Sequence, residues 1–111
     1  MRLTKPWLSV ADIQSALKGH LGVFQLADAD QQLVYIGFAG GDSLYGLRGE
    51  VEQQVATLPG IAWFRAEVTA AYHTRYRELL MLHIADHGQA PVHNKILPPR
   101  LGRLSPAGAG A

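Results

Sequence analysis

Gly22-Val23-Phe24-Gln25-Leu26 and Leu33-Val34-Tyr35-Ile36-Gly37, separated by Ala27-Asp28-Ala29-Asp30-Gln31-Gln32, decide the reading of this chain. Both outer stretches are apolar, with valine, isoleucine and aromatic residues that suit a pleated, half-buried surface. The polar run between them is turn chemistry. The pattern predicts two strands, 22–26 and 33–37, joined as a hairpin. Asp28-x-Asp30 lacks the glycine and closing glutamate of a calcium loop, so the two aspartates read as turn formers.

On the N-terminal side, Ile13 and Leu17 share a helical face and Ser9 is placed to cap it. The expectation is a helix over about Val10 to Lys18, followed by a turn bracketed by Gly19 and Gly22. On the C-terminal side, Gly40-Gly41 opens a loop in which Asp42 or Ser43 is placed to cap the next helix. Leu44, Leu47, Val51, Val55 and Leu58 recur at steps of three and four and give that helix one apolar stripe. Gly46 and Gly49 interrupt it, each at a cost of roughly 1 kcal/mol relative to alanine. Two glycines on one helix predict close approach of another backbone, from protein or from ligand. Pro59-Gly60 ends the segment. Residues 61–69 alternate as a third strand, with Phe64, Ala66 and Val68 on one side and Trp63, Arg65 and Glu67 on the other. A last helix, from about Ala71 to His87 and closed by Gly88, is apolar around most of its circumference and is expected to be largely buried. The expected fold is of the α+β type: a small three-stranded, mainly antiparallel sheet flanked by helices. Residues 1–19 read as an N-terminal helical extension, 20–97 as the domain, and 98–111 as a flexible tail rich in proline, glycine and alanine.

Composition bounds the function. The 111 residues suit one domain, and 48% hydrophobic residues are ordinary for a globular core. No cysteine is present, which removes disulfides, thiolate zinc sites and cysteine nucleophiles, and fits a reducing compartment. No secretory signal or membrane-length apolar run is visible, so the expected setting is cytoplasmic, with no membrane partner. The net charge of +1 is unevenly spread, since residues 1–64 carry −2 and residues 65–111 carry +3. A basic second half is suited to neutralising phosphates, although charge counts this small equally describe a solvated surface.

Glu78 shares its helical face with Ala71, Leu82 and Ala85, and a carboxylate there needs a cation or an ion-pair partner such as Arg75, three residues earlier. Tyr35 reads as a packing tyrosine with a wet hydroxyl. To act as a base it would need its pKa of roughly 10 lowered by nearby positive charge. Arg48 flanks the apolar stripe, where its guanidinium could grip a phosphate or snorkel over the surface. His83 and His87 stand one turn apart, as in many zinc sites, but Ile84 replaces the glutamate that follows the first histidine in zinc proteases.

In order, Gly22-Val23-Phe24, Tyr35-Ile36-Gly37, Arg48, Glu78 and Pro91-Val92-His93-Asn94 resemble the motifs of the GIY-YIG nuclease domain over roughly residues 20–96. The resemblance implies a metal-dependent endonuclease that hydrolyses phosphodiester bonds in DNA (or RNA) around a single Mg²⁺ or Mn²⁺ ion. It assigns Tyr35, Arg48, Glu78 and Asn94 to catalysis, with Glu78 as the metal ligand. Arg75, His73 and Lys95 are the candidates for holding substrate. Phe24 stands where the family has its first-strand tyrosine, and Phe38 where many members carry a lysine. Both replacements point to the alternative, a catalytically impaired GIY-YIG-like module that binds nucleic acid or a protein partner.

Overall fold

A computed structural model describes residues 1–95. The expected tail, with Arg100 and Arg103, lies outside the described residues. Strand β1 (Leu8–Ser9) runs into a 3₁₀ turn (Val10–Asp12) and a single-turn helix α1 (Ile13–Ala16). The hairpin β2 (Gly22–Ala27) and β3 (Leu33–Ala39) follows, then helix α2 (Gly46–Thr57), strand β4 (Trp63–Val68) and helix α3 (Tyr72–His87). The fold is α+β, as the periodicities predict.

The sheet has four strands, in the order β1-β4-β2-β3, and every pairing is antiparallel. The fourth strand was not expected. Leu8 and Ser9 pair with Phe64 and Trp63, so a piece of the supposed helical extension closes one sheet edge. The opening helix is shorter than its periodicity suggests, because Leu17 is already extended. Ser9 does cap the 3₁₀ turn, its Oγ accepting from the Ala11 N–H at 3.2 Å.

The central strand β2 is buried along its whole length. Its alternation feeds two cores. Phe24 and Leu26 meet Ile13, Leu17, Leu47, Val51 and Phe64 on the α2 side. Val23 meets Leu3, Ile36, Tyr76, Leu79 and Leu80 on the α3 side. Each fully buried side chain of this kind contributes about 1.5–3 kcal/mol. Leu3, Ile13 and Leu17 carry the first nineteen residues into both cores.

The hairpin loop behaves as turn chemistry dictates, with Asp28 Oδ1 accepting from the Asp30 and Gln32 N–H groups at 3.0 Å each. Helix α2 departs from expectation at its start. Neither Asp42 nor Ser43 caps it, and Leu44 is 83% exposed rather than part of the buried stripe. Instead, the N–H groups of Leu47 and Arg48 donate to the carbonyls of His20 and Lys18 at 2.8 and 3.1 Å. This docking explains Gly46, whose φ is +62° and whose Cβ, if present, would stand 2.3 Å from the Gly19 carbonyl carbon. The partner of the close approach is therefore protein backbone.

Helix α3 presents one face to the sheet. Tyr76, Leu79 and Leu80 are buried, and the residues from Ala85 to Gly88 are exposed, so the helix is not largely buried as expected. Gly88 ends it in the left-handed conformation, at φ 78°.

Candidate functional site

Strand β3 is a sheet edge, and its outer backbone groups need partners. Asn94 supplies them. Its Oδ1 accepts from the Ile36 N–H and its Nδ2 donates to the Ile36 carbonyl, both at 2.8 Å. His93 adds a backbone bond to the Val34 carbonyl at 2.9 Å. Asn94 is 8% exposed and thus acts as a substitute strand that pins the middle of Tyr35-Ile36-Gly37. Gly37 is required at the next position. A Cβ there would lie 2.5 Å from the Phe24 ring and 2.8 Å from the Tyr35 ring.

Around the end of this strand opens a cleft of about 490 Å³. Tyr35 and Glu50 line it from one side of the sheet, Tyr72, His73 and Tyr76 from the first turns of α3, and Asp42-Ser43 from the loop. Phe38 joins the aromatic wall. Its ring stacks on Tyr72 (5.7 Å between centroids, 12° between planes) and meets His73 and Tyr76 at 4.9 Å each. Ser43 Oγ donates to Glu50 at 2.8 Å and accepts from the Gly40 N–H at 3.0 Å, which holds the carboxylate in place. Burial raises the pKa of Tyr35, and the neighbouring Tyr76 and Glu50 push it further in the same direction. This is the opposite of what a general base needs.

Of the residues expected in the site, Tyr35 and His73 come together here. Arg48 does not. It is two residues from Glu50, or about 200° around the helix, and therefore faces away from the cleft. Glu78 is likewise about 200° from Tyr76 on α3. Its Oε1 accepts from Arg75 at 2.8 Å and its Oε2 from the N-terminal ammonium of Met1. Those two cations hold its pKa below the ordinary carboxylate range, the ammonium first. Glu78 is not among the residues that line the cleft beside Tyr35, so the fold does not bring this tyrosine together with the magnesium ligand implied by the resemblance. Arg75 is committed too. Its Nε and Nη2 form a fork on Glu67 at 3.0 and 3.1 Å, which ties α3 to β4. Lys95 is exposed beside Asn94 and lines neither of the larger clefts.

His83 and His87 stack at 4.3 Å between centroids, but no group of three or more potential ligands forms a metal site among the described residues. Sequence reasoning missed Glu50, which stands three residues after Leu47 on the flank of the apolar stripe. It also missed Phe38 as part of an aromatic wall, because the wall is assembled from two elements distant in sequence.

The fold and this site define a small α+β domain with an aromatic and acidic cleft at one sheet edge. The chain belongs to the family described as domain of unknown function DUF7508, whose profile matches residues 1–86. No curated protein and no solved structure matches it. No helix among the described residues is long and apolar enough to cross a membrane.

Proposed function

We propose that this chain is a GIY-YIG-like module that binds nucleic acid by taking an unstacked base into the cleft between Tyr35 and His73, without the hydrolytic step of the family's nucleases. The lining of the cleft carries this reading. Phe38, Tyr72 and His73 offer ring faces, and Asp42 and Glu50 offer acceptors to the amino groups of a base. Stacking of this kind contributes about 1–3 kcal/mol per base and tolerates any sequence. Two carboxylates disfavour a phosphate inside the cleft, so the backbone would run outside it. DNA is the first candidate and RNA the second, and a cytoplasmic setting, in keeping with the absence of cysteine, belongs to the same reading.

A second reading keeps endonuclease activity and moves the carboxylate. Glu50 lines the same cleft as Tyr35, which Glu78 does not, so Glu50 would be the side chain offered to Mg²⁺ or Mn²⁺.

One set of proteins separates the two readings: the natural chain, His73→Ala, Glu50→Gln and Glu78→Ala. Fluorescence anisotropy with single-stranded DNA and RNA at fixed salt reads binding. Nicking of supercoiled plasmid and cleavage of RNA in Mg²⁺ and Mn²⁺ read hydrolysis. The binding reading expects no cleavage and an affinity weakened about fivefold or more in His73→Ala. Metal-dependent cleavage that disappears in Glu50→Gln establishes the second reading. Cleavage that disappears in Glu78→Ala restores the carboxylate assigned from the resemblance. Absence of both binding and cleavage overturns both readings.

A further inference from the structure

A second cleft, of about 560 Å³, lies at the opposite end of α3, between that helix, the β2–β3 hairpin and the N-terminal segment. Arg65 forms part of its wall. Its guanidinium carbon sits over the Trp7 ring, 4.1 Å from the centroid, a cation–π contact. Nε donates to Gln25 Oε1 at 2.7 Å and Nη1 to the Lys5 carbonyl at 3.1 Å. Both acceptors are neutral. Among the described residues Arg65 has no carboxylate partner, and its Nη2 has no acceptor.

The rest of the lining sharpens the point. Among the described residues the one carboxylate that lines the cleft, Asp86, is taken by Arg2 through bonds of 2.9 and 2.5 Å. That pair cancels, and the charge of Arg65 remains. Gln25 is 4% exposed, its oxygen is used by Arg65, and its Nε2 donates to no described residue. A partly buried cation and a buried amide therefore share one cavity with spare donors and, among the described residues, no spare acid. Burial lowers the pKa of Arg65. A charge taken from water without a counter-ion is costly unless a ligand supplies one. Several donors that converge from a fixed fork suit a group with three acceptor oxygens.

We infer that the cleft between Trp7, Gln25, Arg65 and the end of α3 is a phosphate-binding site, independent of the cleft at Tyr35. The phosphate is either a free or monoester phosphate or a backbone phosphate of nucleic acid, and the recognition chemistry is the same for both.

The test uses the full chain carrying Trp63→Phe, so that Trp7 is its one remaining tryptophan. Titration with inorganic phosphate, and separately with a nucleoside monophosphate, is followed by Trp7 emission. The expected result is a saturable change that weakens about tenfold or more in Arg65→Gln. His73→Ala is expected to leave it unchanged. Arg65→Lys keeps the charge and loses the fork, and it should weaken binding about threefold or more while keeping the test alive if Arg65→Gln does not fold. Displacement of the phosphate by a single-stranded oligonucleotide assigns the site to nucleic acid; lack of displacement assigns it to a small phosphate ligand. No saturable change, or equal binding by folded Arg65→Gln or Arg65→Lys, overturns the inference.

Discussion

The cleft at the start of α3 gathers rings and carboxylates, whereas the cleft at its far end gathers hydrogen-bond donors around an arginine whose described partners are neutral. The same helix and the same sheet wall both. The difference comes from which ends of the strands they reach. The first lies where β3 ends and the loop after it brings Asp42 and Ser43 beside Glu50. The second lies where β2 turns into the hairpin and the N-terminal segment brings Arg2 and Trp7 across β4. The loop after β3 and the N-terminal segment add to charges that regular elements supply, Glu50 from α2 and Arg65 from β4. The comparison also shows how charges are used here. Arg75 is spent on Glu67 and Glu78, and Arg2 on Asp86, which leaves Arg65 as a charge held by neutral partners.

The largest expected effect separates the two clefts through the strand beneath one of them. Asn94→Ala leaves the Ile36 N–H and carbonyl without partners at a buried edge, at about 1–3 kcal/mol each, so a loss of about 2–6 kcal/mol is expected in urea unfolding. Where the variant is still folded, binding at the Tyr35 cleft should weaken, since Asn94 holds the strand that carries Tyr35. Phosphate binding at the Arg65 cleft should stay within about twofold. Equal loss at both clefts would show that the two act as one unit.

A smaller effect belongs to the donor-rich cleft alone. His83 lines it, and its pKa lies below the usual imidazole range because burial disfavours the charged ring. The hydrogen bond to the Gln89 carbonyl and the charge of Asp86 oppose this only in part, while nearby His87 adds to it. Just below pH ~6.5 the unfolded chain then binds more protons than the folded one. The stability associated with His83 is complete above that pH and is lost as pH falls toward its folded pKa. Asp86 itself is held below the carboxylate range by Arg2 and titrates lower still. Thermal unfolding should therefore show a Tm that drops between pH values of about 7.5 and 5.5, with a shallower drop in His83→Gln. An unchanged slope in the variant would remove His83 from the account.

The smallest effect is expected at Trp63, whose indole N–H is buried with no acceptor among the described residues. Trp63→Phe deletes an orphaned donor and keeps most of the apolar ring. Stability should change by no more than about 1 kcal/mol, in either direction. A loss of several kcal/mol would reveal a partner for that N–H, and the variant would then be unsuitable as the background for the Trp7 titration.

The hairpin, the α+β class, the capping role of Ser9, the Asp28 turn and the Gly88 stop were legible because each is decided by a few neighbouring residues. Hydrophobic period and turn chemistry act over one or two turns of chain, and the sequence carries them directly. The strand Leu8–Ser9 was not legible. Two residues have no period, and their pairing with Trp63 and Phe64 depends on a loop of more than fifty residues closing correctly. The capping of α2 was hidden for the same reason, since its acceptors are carbonyls of Lys18 and His20 rather than the adjacent Asp42 or Ser43.

The candidate site divides along the same line. The family resemblance named Tyr35 and Asn94, His73 was a candidate for holding substrate, and helical spacing made Arg75 the partner of Glu78, but the contact of Asn94 with the strand came only from the fold. These readings did not determine convergence. Whether Glu78 or Glu50 faces Tyr35 is settled by the rotation of two helices against a sheet, and one residue of phase turns a side chain by about 100°. Whether an arginine is spent on an acid is settled by which acid the packing brings within reach, as Glu67 is brought to Arg75 and, among the described residues, none to Arg65. By itself, then, the sequence determined the elements and the inventory of reactive groups, because those depend on local physics. The tertiary structure decided which groups share a cleft and which charges remain, because those depend on long-range packing.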